Sequence, residues 1–356
     1  MKTAIVLGTR PEIIKLAPLI KQLNKRSTSV IFTGQHYDYN LSMRFIHQLG
    51  LAKPSHSLKI SHTSPATQIA DVIRKVSKLL EKEKPDTVIV QGDTNTVLAA
   101  GIAALKSNIP VSHVEAGLRS HDWRMPEEHN RIEIDHISEL LFAPTSSSKY
   151  NLLSEKVHGK IFVTGNTIID AINQFTKISK KHSKLSVEVN DYVLMTLHRS
   201  ENVDKKEILS RIIKAVIDSK QDFIFPVHPR TLKRLHEFNL YTKLKKSKNI
   251  QMLDPVGYFE ILELMKNCQF IVTDSGGIQE EATAPSIRKK VVVVRKTTDR
   301  PEAVFSGFSE ISGTTYSGIL TALRRTAKNP TIPKKKSPYG EGNSAKIIVK
   351  HLKKNY

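Results

Sequence analysis

The stretch PDTVIVQGDTNTVLAAGIAALKSNIPVSHVEAGLRS, residues 85–120, decides the fold class of this chain. It contains an apolar run at 87–90, a polar turn, a helical pattern and a second apolar run at 111–114. Short Val- and Ile-rich runs suit strands buried on both faces of a parallel sheet, and their alternation with helices is typical of α/β proteins. The stretch therefore predicts an α/β fold built on parallel strands.

The same alternation extends in both directions over the 356 residues and predicts two doubly wound halves. A polar, basic segment at 177–190 separates the halves and is interpreted as a linker, with a frayed helix end as the alternative. An amphipathic helix is predicted for SAKIIVKHLKKN near the C-terminus. The predicted strands are 4–7, 30–33, 87–90, 111–114, 141–143, 161–163, 192–197, 223–227, 250–253, 270–273 and 291–294.

Composition limits the function classes. The chain has 55 Lys and Arg against 34 Asp and Glu, a formal charge of +21 that suggests an anionic partner. A single cysteine, Cys268, excludes disulfides within one chain and Cys-based zinc sites, and favours a cytoplasmic location. No apolar run approaches the ~20 residues needed to cross a bilayer, and no signal peptide is visible. We therefore expect no membrane insertion.

Polar and charged residues follow most of the predicted strands. In parallel sheets, ligands bind at the carboxyl ends of the strands, so these residues predict one polar cleft between two domains. They are Arg10, Lys15, Gln35, His36, Asp93, His113, Glu115, Arg119, His198, Arg199, His228, Arg230, Asp274, Ser275, Gly276, Gly277, Asp299 and Arg300.

The segment DSGGIQEEA, residues 274–282, combines a strand end, two glycines and an acidic helix start. Free N–H groups at a helix start suit a phosphate, and Glu280 or Glu281 could accept hydrogen bonds from a sugar. Asp274 and Ser275 are equally good helix-cap residues, which is the simpler interpretation of this motif alone.

Each charged candidate also has an ordinary structural interpretation. Arg10 and Lys15 are interpreted as solvated helix residues, Asp93 as a helix cap, and Glu127 as an acid favoured by the helix dipole. Glu115 is harder to explain in this way, because it follows a buried strand. No HExxH, GxGxxG or P-loop pattern occurs, so neither a metal nor a nicotinamide is expected. Trp123 and Cys268 are interpreted as packing residues, while Tyr258 and Phe259 could lie near a base or in the core.

Ten motifs taken together carry a family resemblance. GTRPEIIKLAP, TGQHYDYN, QGDTNTVLAA, HVEAGLRS, MPEEHNR, VTGNTIIDA, PVHPRT, TDSGGIQEEA, TTDRPEAV and SPYGEGNSAKIIV occur in this order over almost the whole chain. The set resembles the non-hydrolysing UDP-N-acetylglucosamine 2-epimerases, which are cofactor-free isomerases.

The resemblance implies a GT-B-like pair of Rossmann-type domains with the active site in the cleft between them. It implies a first domain over 1–172, a UDP-binding domain over 173–337, and a final helix over 338–356 that crosses back to the first domain. A homodimer is expected because relatives form one.

The implied reaction inverts C2 of UDP-GlcNAc to give UDP-ManNAc, through loss of UDP, 2-acetamidoglucal, and return of a proton to the opposite face. Such products supply ManNAc-type sugars for surface polysaccharide or glycan synthesis. By motif, the catalytic residues are Asp93, Glu115, Glu127, His198 and Lys15. The substrate-binding residues are Arg10, Gln35, His228, Ser275, Gly276, Gly277, Glu281 and Arg300.

Other functions remain as alternatives. A related 2-epimerase acting on UDP-2,3-diacetamido-glucuronate shares several motifs, although GTRPEIIK favours the UDP-GlcNAc branch. A hydrolysing relative would release free ManNAc. A GT-B glycosyltransferase would share the fold, but it would not require the three carboxylates in the loops of the first domain. A nucleic-acid-binding module could explain the charge, but aromatic residues make up only 6% and the lysines are scattered. No nucleic acid partner is therefore expected.

Overall fold

The computed structural model describes residues 1–34, 39–61, 64–183, 185, 191–332 and 335–356. Its first sheet has seven parallel strands in the order β3-β2-β1-β4-β5-β6-β7. The strands are β1 (Thr3–Leu7), β2 (Thr28–Phe32), β3 (His56–Ser57), β4 (Thr87–Gln91), β5 (Val111–Val114), β6 (Leu140–Ala143) and β7 (Lys160–Val163).

The second sheet has six parallel strands in the order β10-β9-β8-β11-β12-β13. In both sheets the strand order reverses beside the first strand, which is the Rossmann arrangement. The strands are β8 (Val193–Thr196), β9 (Phe223–Pro226), β10 (Ile250–Leu253), β11 (Ile271–Thr273), β12 (Val291–Val293) and β13 (Ser309–Ile311).

Helices connect the strands, as parallel pairing requires. Among the described residues, none is long and apolar enough to cross a membrane. They are α1 (Arg10–Gln22), α2 (Tyr39–Gln48), α3 (Pro65–Glu83), α4 (Asn95–Lys106), α5 (Pro126–His136), α6 (Ser146–Ser154), α7 (Thr167–Phe175), α8 (Ser179–His182), α9 (Ser200–Val203), α10 (Lys206–Asp218), α11 (Pro229–Glu237), α12 (Tyr241–Lys245), α13 (Tyr258–Asn267), α14 (Gly276–Glu281), α15 (Pro301–Phe305), α16 (Tyr316–Lys328) and α17 (Ser344–Asn355).

The chain forms two compact units. The first comprises Met1–Ala171 together with Tyr339–Tyr356, and the second comprises Ile172–Pro338. Each unit has its own core, in which strands such as β4 are buried along their whole length. The α/β architecture with two Rossmann-type parallel sheets is as predicted.

The predicted linker at 177–190 is wrong in its first part. Helix α8 lies there and packs within the second unit, where the His182 ring stacks on Phe259 with centroids 4.9 Å apart. The Ser179 hydroxyl also bonds to Glu263 of α13. Short, Lys-rich helices lack the apolar periodicity that would have indicated them.

Helix α17 is fixed inside the first unit by a buried carboxylate. Asp170 accepts hydrogen bonds from the backbone N–H groups of Ser344 at 3.1 Å and Ala345 at 3.0 Å. Gly165 lies against the same segment, since a Cβ there would be 2.6 Å from the Ser344 hydroxyl and 2.9 Å from the Tyr339 carbonyl. The motifs VTGNTIIDA and SPYGEGNSA therefore contact each other and hold the start of α17 in place.

Two ambiguous aromatic predictions are settled by burial. Tyr258 and Phe259 lie in the core beside Phe175, so neither faces a base as a free ring. The prediction that Trp123 is a packing residue is wrong, because it is 67% exposed. It lies in an irregular loop, where its ring contacts His129 at 4.7 Å between centroids.

Candidate functional site

Lys15 and Glu115 meet after the first and fifth strands of the first sheet. The Lys15 ammonium lies 2.7 and 2.6 Å from the two Glu115 carboxylate oxygens. Gln91, the last residue of β4, donates to the same carboxylate at 3.0 Å. The side chains of Lys15 and Glu115 are largely buried, so little water screens this pair.

The backbone at Glu115 is unusual. Its φ of +73° lies in the left-handed region, which non-glycine residues rarely adopt. Its N–H and that of Ala116 both donate to the Phe142 carbonyl of β6, at 3.1 and 3.2 Å. Backbone strain of this kind costs ~1–3 kcal/mol and persists where the surroundings impose it, often at functional sites. The conformation turns the Glu115 side chain to Lys15.

Asp93 belongs to a second cluster. Its carboxylate pairs with Arg131 of α5, and Arg131 also contacts Glu128 at 2.9 Å. Burial alone would raise the Glu128 pKa, but hydrogen bonds from Ser120 and His121 and the charge of Arg131 lower it. Asp93 is thus held beside a cation at the carboxyl end of β4.

The remaining first-unit candidates are more exposed. Glu127 lies exposed in the first turn of α5, and within the described ranges no residue pairs with it. Arg10 is exposed at the start of α1, and its guanidinium lies 4.4 Å from the centre of the Phe45 ring. Gln35, predicted to bind substrate, falls outside the described residues.

A buried network supports both carboxylate loops. His113 lies 2.7 Å from Asp135 through Nδ1 and 2.9 Å from the Gly92 carbonyl through Nε2. Asp135 in turn accepts from the Gly117 N–H at 3.0 Å and from Arg119 at 2.8 Å. Gly92 precedes Asp93 and Gly117 follows Glu115 by two positions. His113 lies within β5, and not after the strand as expected from the sequence, while Arg119 follows the strand. The sequence does not reveal Asp135 as their partner, because that carboxylate lies on a later helix.

In the second unit, Asp274 organises the loop after β8. This fully buried carboxylate accepts from the backbone N–H groups of His198 and Arg199 and from the Asn202 amide. It also lies 3.2 Å from His198 Nδ1. Burial would raise the Asp274 pKa, but the contacts from His198, Arg199 and Asn202 lower it. Asp274 therefore fixes the position of the His198 ring from its Nδ1 side.

His228 lies beside His198, with ring centroids 5.7 Å apart. Its Nδ1 accepts a hydrogen bond from the Arg230 backbone N–H at 3.2 Å. Burial is the main cause that lowers the His228 pKa, and the nearby charges of His198 and Arg230 lower it further. The neutral ring with a proton on Nε2 is the form that this hydrogen bond favours.

The two glycines of the 274–282 segment have different surroundings. Ser275 caps α14, its hydroxyl accepting from the Ile278 N–H at 3.4 Å. A Cβ on Gly276 would lie 3.1 Å from both carboxylate oxygens of Asp299. Among the described residues, the nearest atom to a Cβ on Gly277 would be the Ser275 hydroxyl oxygen, at 3.8 Å. Gly276 is thus packed, while Gly277 leaves space over the backbone.

Arg300 is held by two carboxylates. It contacts Glu280 at 2.5 Å and Asp299 at 3.2 Å. Burial alone would raise the Asp299 pKa, but the charges of Arg300, Arg295 and Arg199 lower it to about 2. Glu280 is fully buried beside Arg300 and Glu281 is half-buried, so Glu281 remains the better placed of the two for a ligand.

Two parallel-sheet units of the Rossmann type, with acids, histidines and cations near the ends of their strands, give the chain the GT-B-like α/β architecture of its structural relatives. Residues 20–353 match the family model described as UDP-N-acetylglucosamine 2-epimerase. The chain therefore belongs to the UDP-N-acetylglucosamine 2-epimerase family, a family of isomerases.

Named relatives match over nearly the full length. The UDP-N-acetylglucosamine 2-epimerase of Methanocaldococcus jannaschii is 45% identical over 365 residues, covering 99% of each chain. A crystal structure of the M. jannaschii enzyme with UDP-GlcNAc and UDP has a TM-score of 0.83 at 44% identity, covering 99% of this chain and 100% of that one. The UDP-2,3-diacetamido-2,3-dideoxy-D-glucuronate 2-epimerase of Pseudomonas aeruginosa is 34% identical, covering 99% and 100%.

Proposed function

We propose that this chain interconverts UDP-GlcNAc and UDP-ManNAc by inversion at C2. The observation that carries the proposal is the Lys15–Glu115 pair, a buried cation on a carboxylate held by strained backbone. Similarity over almost the full length to named UDP-GlcNAc 2-epimerases supports the same assignment.

The chemistry accounts for the residue types. The proton at C2 of the sugar is not acidic, so the bond from C1 to the diphosphate breaks first, and a base then removes the C2 proton to leave 2-acetamidoglucal and UDP. Arg10, Lys15 and His198 stabilise the charge on the leaving diphosphate. An acid then returns a proton to the opposite face of C2 of the glycal, and UDP adds back at C1. Asp93, Glu115 and Glu127 supply these groups.

The nucleotide is assigned to the second unit. Ser275, Gly276 and Gly277 hold the diphosphate, Glu281 holds the ribose, and Arg300 and His228 complete the binding set with Gln35 of the first unit. The space over Gly277 and the His198 ring that Asp274 holds in place support this assignment. Neither a nicotinamide nor a metal enters the mechanism. The product supplies ManNAc-type sugars for polysaccharide or glycan synthesis, and the working form is a homodimer.

Proton NMR in heavy water tests the reaction. Incubation with UDP-GlcNAc is expected to give UDP-ManNAc and deuterium at C2 of both sugars, because each passage through the glycal takes a proton from solvent. Absence of exchange at every pH would contradict the proposal. Free ManNAc with UDP would instead identify a hydrolysing enzyme.

The diacetamido-glucuronate branch is the second candidate, because a 34% identical relative carries that name. Parallel incubations with UDP-2,3-diacetamido-glucuronate and UDP-GlcNAc separate the two. The proposal requires a higher kcat/KM for UDP-GlcNAc. Family membership favours either epimerase over the glycosyltransferase alternative.

A further inference from the structure

Glu12 is a buried carboxylate whose hydrogen-bond donors among the described residues come from two loops. It lies in the first turn of α1 and is 2% exposed. One oxygen accepts from the backbone N–H groups of Gly8 at 2.5 Å and Thr9 at 3.3 Å. The other accepts from the Thr94 hydroxyl at 2.7 Å.

These two loops carry residues assigned above to the reaction. Gly8 and Thr9 lead directly into Arg10, while Thr94 directly follows Asp93. The Thr94 hydroxyl also accepts from the Val97 N–H at 3.3 Å and so starts α4. Glu12 therefore joins the start of α1 to the start of α4, and a shift of either loop would break one of its hydrogen bonds.

The arrangement is costly for the fold alone. Burial raises the Glu12 pKa to about 6, although hydrogen bonds from Thr94, Gly8 and Thr9 lower it. Among the residues that the structure describes, these hydrogen-bond donors are uncharged. A buried carboxylate without a cation costs stability that a neutral residue would not. The two oxygens of the carboxylate are fixed relative to each other, and each loop donates hydrogen bonds to one of them.

We propose that Glu12 is a positioning residue that sets Arg10 relative to Asp93 in the reaction. The part concerning catalysis rests on the proposed epimerase function, whereas the link between the two loops stands on the geometry. Glu12 acts through Gly8, Thr9 and Thr94 and does not itself touch the sugar.

Kinetics of Glu12→Ala and Glu12→Gln test the catalytic part. E12A is expected to lower kcat for UDP-GlcNAc epimerisation about 100-fold, the cost of a displacement near 1 Å. E12Q is expected to stay within about threefold of wild type, because its amide oxygen accepts from Gly8 and Thr9 and its NH₂ donates to Thr94. A folded E12A with wild-type kcat, or an E12Q as impaired as E12A, would overturn the positioning role.

Asp170→Ala provides the matched control. Asp170 is equally buried and also accepts two backbone N–H bonds, but it holds α17. D170A is expected to lower the melting temperature while kcat stays within about threefold. A drop in kcat as large as that of E12A would show that any lost buried carboxylate has this effect.

A double-mutant cycle isolates the link itself. Thr94→Val removes both the hydroxyl that donates to Glu12 and the cap of α4, so the kcat loss of E12A with T94V is expected to be smaller than the product of the two single losses. Multiplicative losses in the double variant would refute a shared link.

Hydrogen exchange measured by mass spectrometry does not depend on activity. E12A is expected to speed exchange both at residues 8–10 and at residues 92–97, whereas D170A leaves residues 92–97 unchanged. Faster exchange at one segment only would refute the link. If wild type lacks epimerase activity, the proposed function fails with the catalytic role of Glu12, and this measurement still decides whether Glu12 joins the loops.

Discussion

The Lys15 ammonium cannot pair fully with a diphosphate and with the Glu115 carboxylate at the same time. Its ammonium contacts both oxygens of that carboxylate, at 2.7 and 2.6 Å. A phosphate that recruits Lys15 must therefore compete with a carboxylate that is already desolvated and close. The same exchange would release Glu115 as a base when the leaving group needs the cation.

Glu115→Gln tests this competition. The variant is expected to lose turnover and to bind UDP about tenfold more tightly, or ~1.4 kcal/mol, because Lys15 no longer has an anionic partner. Isothermal titration calorimetry measures the affinity. Glu133→Gln, an exposed acid of α5, makes the same change in charge and should leave UDP affinity unaltered. Weaker UDP binding by E115Q would contradict the competition.

Glu12 also predicts a pH dependence of stability. Its folded pKa of about 6 lies above the ordinary 4.5, so the folded state holds the proton more tightly. The stabilisation by this proton is complete below pH 4.5 and is lost as the pH rises through 6, a change of about 2 kcal/mol. E12Q cannot titrate, so its melting temperature should gain a few degrees on wild type between pH 4.5 and 7. A constant difference would show that Glu12 titrates normally.

At the scale of elements, helix α14 depends on which of its two glycines is packed. Gly276 faces the Asp299 carboxylate, which Arg295 and Arg300 hold at 2.9 and 3.2 Å. Gly277 has room for a side chain. Two substitutions of the same size, one residue apart, therefore separate packing from the general effect of replacing glycine.

Gly276→Ala is expected to destabilise the protein by about 1–2 kcal/mol, because the new methyl group displaces Asp299 from its arginines. Gly277→Ala should leave the melting temperature unchanged or slightly higher, since alanine favours helix. Differential scanning calorimetry of both variants measures the contrast. Equal losses would show that the carboxylate near Gly276 yields freely.

The elements could be predicted from sequence wherever the local pattern was strong. Buried parallel strands such as β5 are continuous apolar runs, and their alternation with helices indicated both units. The strands β3 and β13 were not predicted, because two or three residues without a full apolar run give no periodic signal.

The candidate site was predicted less completely, since its polar contacts join distant positions. Arg10, Lys15 and Asp93 could be proposed as functional from their place after strands. That Asp135 holds His113, or that Thr94 holds Glu12, depends on which loops meet in space. The exposure of Trp123 likewise follows from its loop and not from its residue type.

At the scale of the whole molecule, the first unit is built from two separate segments. Residues 339–356 add α17, which packs on α1. The ring of His351 in α17 lies beside the ring of Phe162 in β7, with centroids 3.9 Å apart. Deletion of residues 339–356 is expected to increase hydrogen exchange in α1 and β7 while the second sheet keeps its protection. Loss of protection in both units alike would mean that they unfold as one.

The return of α17 has a consequence for synthesis. A ribosome synthesises the whole second unit before it synthesises the segment at 339–356 that contacts Asp170 and Gly165. Synthesis of the second unit takes on the order of ten seconds. During that time the face of α1 that α17 covers is exposed in the nascent chain. The second unit can mature first, although it is translated later than most of the first, so the order of maturation opposes the order of translation.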